Sequence, residues 1–200
     1  MTNYIFIENG KINGCGQARQ LGDNIQNIEV EECLYNDFCE NPNKYIWDDN
    51  NIVLNVNYEA EKALDYKKEL INDIYEIKAN KAYCGVIIND MLVFETNQTS
   101  ITNTVASLAL MSDTATANWK FYTVGGEPYV QQVSKLQLAG IAQFGQNMIN
   151  ECFAVEGQAN ENLQNATIEQ LNDEVWRNDF INGVQAEMDK VNNKLTVSFE

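Results

Sequence analysis

The apolar positions of this chain change period several times, and each change marks an element. Residues 4–7 form a short apolar run, and Asn9-Gly10 follows it. Both turn positions tolerate positive φ, so the pair predicts a hairpin, with its return strand at 12–15. Ile25, Ile28 and Val30 predict a further strand. Residues 31–40 predict a short helix, with acids in its first turn and Pro42 just beyond its end. The runs 45–47 and 52–54 flank the polar turn Asp48-Asp49-Asn50-Asn51, which predicts a second hairpin with a longer loop.

The period then becomes helical. No Gly or Pro occurs from Tyr58 to Ala82. Ala60, Ala63, Lys67, Leu70, Ile74 and Ile77 step alternately by three and four, the spacing of a heptad seam. Lys67 interrupts its apolar character. The stripe serves either packing within the chain or a subunit interface. Gly85 ends the helix. Residues 86–88 and 91–94 predict a hairpin around Asn89-Asp90, with strands apolar enough to be covered by helices. Residues 100–111 predict a helix with Val105, Leu108 and Met111 on or near one face. Residues 119–123 alternate as a strand, turn at 125–128 and pair back over 129–133.

Ser134-Lys135-Leu136-Gln137 fits the capping-box pattern and predicts a long helix carrying Leu138, Ile141, Phe144, Met148 and Cys152 to about Glu156. Thr167-Ile168-Glu169-Gln170 repeats the pattern. The last segment has the cleanest periodicity: Ile181, Val184, Met188, Val191 and Leu195 step by three, four, three and four. That is a short coiled-coil-like seam, serving either a second copy or the helix's own protein. Trp176 begins this helix and is a candidate interface anchor. The candidate oligomer or partner surface is therefore Leu70, Ile74, Ile77, Trp176, Ile181, Val184, Met188, Val191 and Leu195.

These elements define an α+β fold. A small N-terminal hairpin-rich unit (1–57) is followed by a long connecting helix (58–84). A central domain of short hairpins packed with helices (85–166) and a C-terminal helix (167–200) complete it. The apolar share of 44% is enough for a core.

Composition narrows the chemistry. The chain has no histidine, which removes the commonest general base and a common metal ligand. Acids outnumber bases by 29 to 13, for a net charge of −16. No lysine or arginine cluster offers itself to phosphate, so nucleic acid is not an expected partner. The same charge repels an anionic membrane, and no run approaches the roughly 18 apolar residues of a span. The N-terminal residues lack a basic region and predict no signal peptide. The acidity fits either simple solubility or an assembly whose partners are basic.

The five cysteines are irregularly spaced, with no CxxC pair. They predict reduced, mostly buried thiols, with a Cys33–Cys39 disulfide as the alternative. No phosphate loop, dinucleotide fingerprint or nucleophile elbow occurs, so no cofactor is expected. Asp48-Asp49-Asn50-Asn51 lacks EF-hand spacing, so no metal is expected there. No carboxylate pair stands out as catalytic, and no catalytic residue is nominated. Trp47, Trp119 and Trp176 are the aromatic candidates for a sugar face. Trp119 reads better as core and Trp47 as the more exposed.

From about Tyr66 to Leu171 the chain resembles a domain of unknown function found in bacteriophage and prophage tail-fibre or tail-fibre-assembly proteins. The resemblance rests on the order of residues 65–81, 85–94 and 100–111, then Asn118-Trp119-Lys120, and finally residues 133–138 leading into the long helix. Cys84-Gly85 and Glu95-Thr96 stand where family members often carry Gly-Gly and acidic or threonine-aspartate residues. The family has no established catalytic residues, so none is carried over. The resemblance implies a non-enzymatic virion component, made in the host bacterial cytoplasm. It would be a tail-fibre or fibre-attachment subunit that oligomerises and contacts fibre or baseplate proteins. A fibre-assembly chaperone absent from the virion is the alternative. A carboxylate-dependent glycan-degrading enzyme is a minor one.

Overall fold

The structure, a computed structural model, describes residues 2–48 and 50–199. It is α+β, the class that the periodicities predict. The chain forms two compact units, Met1–Asp65 and Tyr66–Glu200, the second taking in elements from three of the segments drawn from the sequence. The reason is that the elements beyond residue 66 share one core. Ala82, Val86, Phe94, Phe121, Met148 and Met188 all belong to it, although they come from separate stretches of the pattern.

In the first unit, β1 (Asn3–Glu8) lies between β2 (Lys11–Gly16) and β3 (Ile25–Val30) in an antiparallel sheet. Asn9 and Gly10 take φ of 52° and 75°, as the hairpin requires. Helix α1 (Glu32–Glu40) packs on β1 and β2 and is followed by a 3-10 turn at Pro42–Lys44. Strands β4 (Tyr45–Asp48) and β5 (Asn51–Leu54) form the second hairpin; Asp49 of its turn lies outside the described residues. Ile5, Ile7 and Phe38 make a small core. At the end of α1, Asp37 gathers the neighbouring turn. It accepts from Lys44 Nζ at 2.6 Å, from Asn41 Nδ2 at 3.1 Å and from the Tyr45 hydroxyl.

Helix α2 (Tyr58–Ala82) begins in the first unit and continues in the second. Its end is fixed by chemistry the sequence hides. Thr96 is fully buried and its Oγ1 donates to the Ala82 carbonyl at 2.7 Å, satisfying one of the acceptors a helix C-terminus leaves open. Gly85 has a φ of 90°, and a Cβ there would lie 2.6 Å from Val93 Cγ1, so the break needs glycine.

The second unit is built on a five-stranded sheet of order β10-β6-β7-β8-β9. Its strands are β6 (Val86–Ile88), β7 (Leu92–Phe94), β8 (Thr116–Thr123), β9 (Pro128–Ser134) and β10 (Lys194–Leu195). Helix α3 (Gln98–Leu110) connects β7 to β8 and packs on α4 (Lys135–Gln164), which itself lies against the sheet. Leu108 and Met111 reach the core, but Val105 is exposed. The Ser134 capping box forms as its spacing predicts, and so does the Thr167 box that opens α5 (Ile168–Asn172). Helix α4 runs on through Gly157 to Gln164, two turns beyond the predicted end.

The C-terminal pattern is not one long helix. Helix α6 spans Glu174–Lys190, with Val191 as its C-cap in extended conformation. Leu195 lies in β10, paired parallel to β6 opposite Ile88. The three-four spacing across residues 181–195 therefore spans a helix, a cap and a strand. All three bury apolar side chains in the same core, so the spacing persists after the helix has stopped.

Candidate functional site

The residues proposed for an interface divide into two groups. Leu70, Ile74, Val184, Met188 and Val191 are buried within this chain. Ile77 and Leu195 are half-buried and pack against the core of the second unit. These seven side chains are occupied in holding their own unit together. Ile181 is half-buried and lines a small polar cleft with Leu70, Tyr66 and Arg177, whose guanidinium sits 3.7 Å from the Tyr66 ring centroid. Trp176 is half-buried and stacks on Phe180, with centroids 5.2 Å apart and planes 12° apart.

That stack leads to an apolar feature of the second unit. A cleft of about 600 Å³ opens between α4 and α6. Each helix contributes residues at the same spacing. Ala154, Gln158, Ala159 and Asn162 come from one, and Asp179, Gly183, Val184 and Glu187 from the other. Ala159 and Val184 are buried and form its floor. Val155 and Phe180 line it as well, but the small side chains at Ala154, Ala159 and Gly183 leave a gap between the two helices. A Cβ added at Gly183 would meet nothing within 4 Å. Exposed Asp179 and Glu187 put negative charge beside the apolar floor. Of its lining, the sequence reading had singled out only Val184, because the gap itself lies at Ala154, Ala159 and Gly183, which a hydrophobic stripe does not mark.

A buried ion pair joins α2 to α4. Lys78 Nζ lies 3.3 Å from Glu156 Oε1, between the rings of Tyr75 and Phe153 at 4.4 and 4.5 Å. Phe153 remains about half exposed. Lys67, the lysine that interrupts the seam, is half-buried and donates to the Gln164 carbonyl.

A second cleft, of about 410 Å³, mixes polar and aromatic side chains. It opens where β7 stops pairing with β8 at Val93, leaving Asn118, Trp119 and Lys120 to face the segment that leads into α3. Lys120 Nζ donates to the Tyr122 hydroxyl at 2.7 Å, and this bond holds the ammonium above its ordinary value. Across the cleft, Ser100 Oγ donates to Glu95 at 2.9 Å. Trp119 is half-buried, packing on the core and lining this cleft as well. Glu95 is the one carboxylate among the lining residues, where two-carboxylate glycoside hydrolysis takes a pair. Trp47 is half-buried against the core of the first unit, contrary to the exposure expected of it.

Among the described residues, no cluster of three or more cysteines and carboxylates could hold a metal ion, and no helix is long and apolar enough to cross a membrane. Compared with protein families, curated proteins and solved structures, the chain matches none.

Proposed function

We propose that this chain is a non-enzymatic bacteriophage virion component, a tail-fibre or fibre-attachment subunit that works through protein contacts. The family resemblance of residues 66–171 selects that setting. The observation that carries the mode of action is the cleft between α4 and α6, an apolar trough with a preformed floor and no filling side chain. Paired helices that leave such a trough suit the helix-in-groove mode of recognition. Its occupant, on this reading, is an apolar-faced helix of a fibre or baseplate protein, flanked by lysine or arginine. Asp179 and Glu187 beside the trough, and a chain charge of −16, favour a basic partner over a second acidic copy.

Homo-oligomerisation has less surface to draw on, because most of the seam residues are buried within the chain or packed on its core. Mass spectrometry of purified virions tests the setting: the chain is expected among the structural proteins. Its absence from virions, with presence in the infected cell, would favour the chaperone alternative. Light scattering tests the partner. A monomer that binds purified fibre or baseplate protein, and loses that binding in Phe180→Glu, supports the cleft. A homotrimer would place a second copy there instead.

A further inference from the structure

We propose that Cys15 and Cys39 form a reversible disulfide that clasps β2 to the last turn of α1. In the reduced structure their Sγ atoms are 3.1 Å apart, although the residues are 24 positions apart in sequence. A bond needs the sulfurs to close by about 1 Å, within the reach of side-chain rotation. β2 and α1 already pack together, and Cys15 lies against the small core of this unit. The remaining cysteines have other neighbours. Cys33 faces Glu31, Cys84 accepts from Asn193, and Cys152 is buried in the second unit. The alternative pairing of Cys33 with Cys39 has no contact to support it.

The roles of the two sulfurs follow from their exposure. Cys39 is exposed and meets the oxidant first. Cys15 is half-buried, and burial followed by its contact with Cys39 pushes its thiol up to about 11, so it is the resolving partner. With glutathione disulfide as oxidant, the Cys39 thiolate attacks one sulfur. One glutathione leaves as its thiolate and takes up the Cys39 proton. Cys15 then loses its proton and attacks the Cys39 sulfur. The Sγ–Sγ bond forms, the mixed disulfide breaks, and the second glutathione leaves carrying that proton. Two protein thiols are oxidised and one external disulfide is reduced to two thiols.

A clasp here suits a small unit whose clustered apolar core, among the described residues, is built on Ile5, Ile7 and Phe38. Units of this size are often stapled covalently. The pairing does not rest on the virion reading. If that reading holds, the thiols stay reduced during synthesis in the cytoplasm and close on release into oxidising surroundings.

The test is incubation of the full chain with excess glutathione disulfide, followed by non-reducing peptide mapping. One linked pair, Cys15 with Cys39, is expected, together with a rise in the unfolding midpoint of the first unit on the order of 10 °C that dithiothreitol reverses. Cys15→Ser is expected to trap a glutathione adduct on Cys39, and Cys39→Ser to prevent the link. Adducts on Cys33 and Cys39 without a Cys15–Cys39 link would overturn the proposal, as would a Cys33–Cys39 link. Because the map reads covalent connectivity, a variant that is merely destabilised cannot imitate the expected result.

Discussion

The side-chain amide of Asn89 makes two hydrogen bonds with the backbone of Val197: Nδ2 donates to the carbonyl at 2.7 Å, and Oδ1 accepts the N–H at 2.9 Å. One side chain thus imitates the edge of a strand and extends the pairing of β10 with β6 into the final residues. Asn89 also occupies the β6–β7 turn with a φ of 53°. Asn89→Gly keeps the turn conformation and removes only the clamp. Its expected cost is about 1–2 kcal/mol, with faster amide exchange confined to residues 193–199. Unchanged exchange there would show that the clamp does not hold the segment.

Filling the α4–α6 cleft separates fold from binding. Gly183→Leu places a side chain where nothing now lies within 4 Å of the new Cβ and removes a helix-interior glycine, worth about 0.8 kcal/mol in propensity. The variant is expected to melt higher than the parent and to bind fibre or baseplate protein at least tenfold more weakly in titration calorimetry. Stronger melting with unchanged affinity would move the partner elsewhere.

The Lys78–Glu156 pair predicts a non-additive double variant. Both side chains are largely buried, and Lys78 is sandwiched between aromatic rings. Lys78→Met leaves Glu156 without its counter-ion, at a cost of about 2–3 kcal/mol. That is at or below the low end for a fully buried pair, because Glu156 keeps some contact with water. Lys78→Met combined with Glu156→Gln is expected to recover most of the loss in urea unfolding. Simple addition of two penalties would count against the coupling.

Asp37 sets a pH limit on the first unit. Hydrogen bonds from Lys44, then Tyr45 and Asn41, hold its carboxyl below the ordinary value of 3.8. Its stabilisation is complete above that ordinary value and is lost as pH falls through the lower value of the folded state. The same contact with Asp37 raises Lys44 and Tyr45, so the contribution erodes again as pH climbs past about 10. Asp37→Asn is expected to lower the thermal midpoint at neutral pH and to converge with the parent in strong acid. Parallel curves throughout would contradict this assignment.

Local patterns were the legible part of this fold. Asn9-Gly10, Gly85 and the boxes at Ser134 and Thr167 act through residues only a few positions apart, and their chemistry is visible in the sequence. The long-range pairings were not. Thr96 reaching Ala82, Asn89 reaching Val197 and Cys15 meeting Cys39 depend on which segments the tertiary fold brings together. The terminal seam misled for a related reason. Met188, Val191 and Leu195 bury in one core whether the backbone is helical or extended, so their spacing alone cannot place the helix end. The cleft went unread because it is made by the absence of bulk at Ala159 and Gly183.

Because β10 pairs directly with β6, more than a hundred residues earlier, the sheet of the second unit has an order of completion. During synthesis, β6 emerges long before the segment that covers its edge. Until residues 194–199 clear the ribosome, that edge is a bare template with apolar side chains on either side of it. A chain lacking residues 194–199 would therefore keep the rest of the second unit but expose a sticky strand, and its fate would be aggregation or proteolysis.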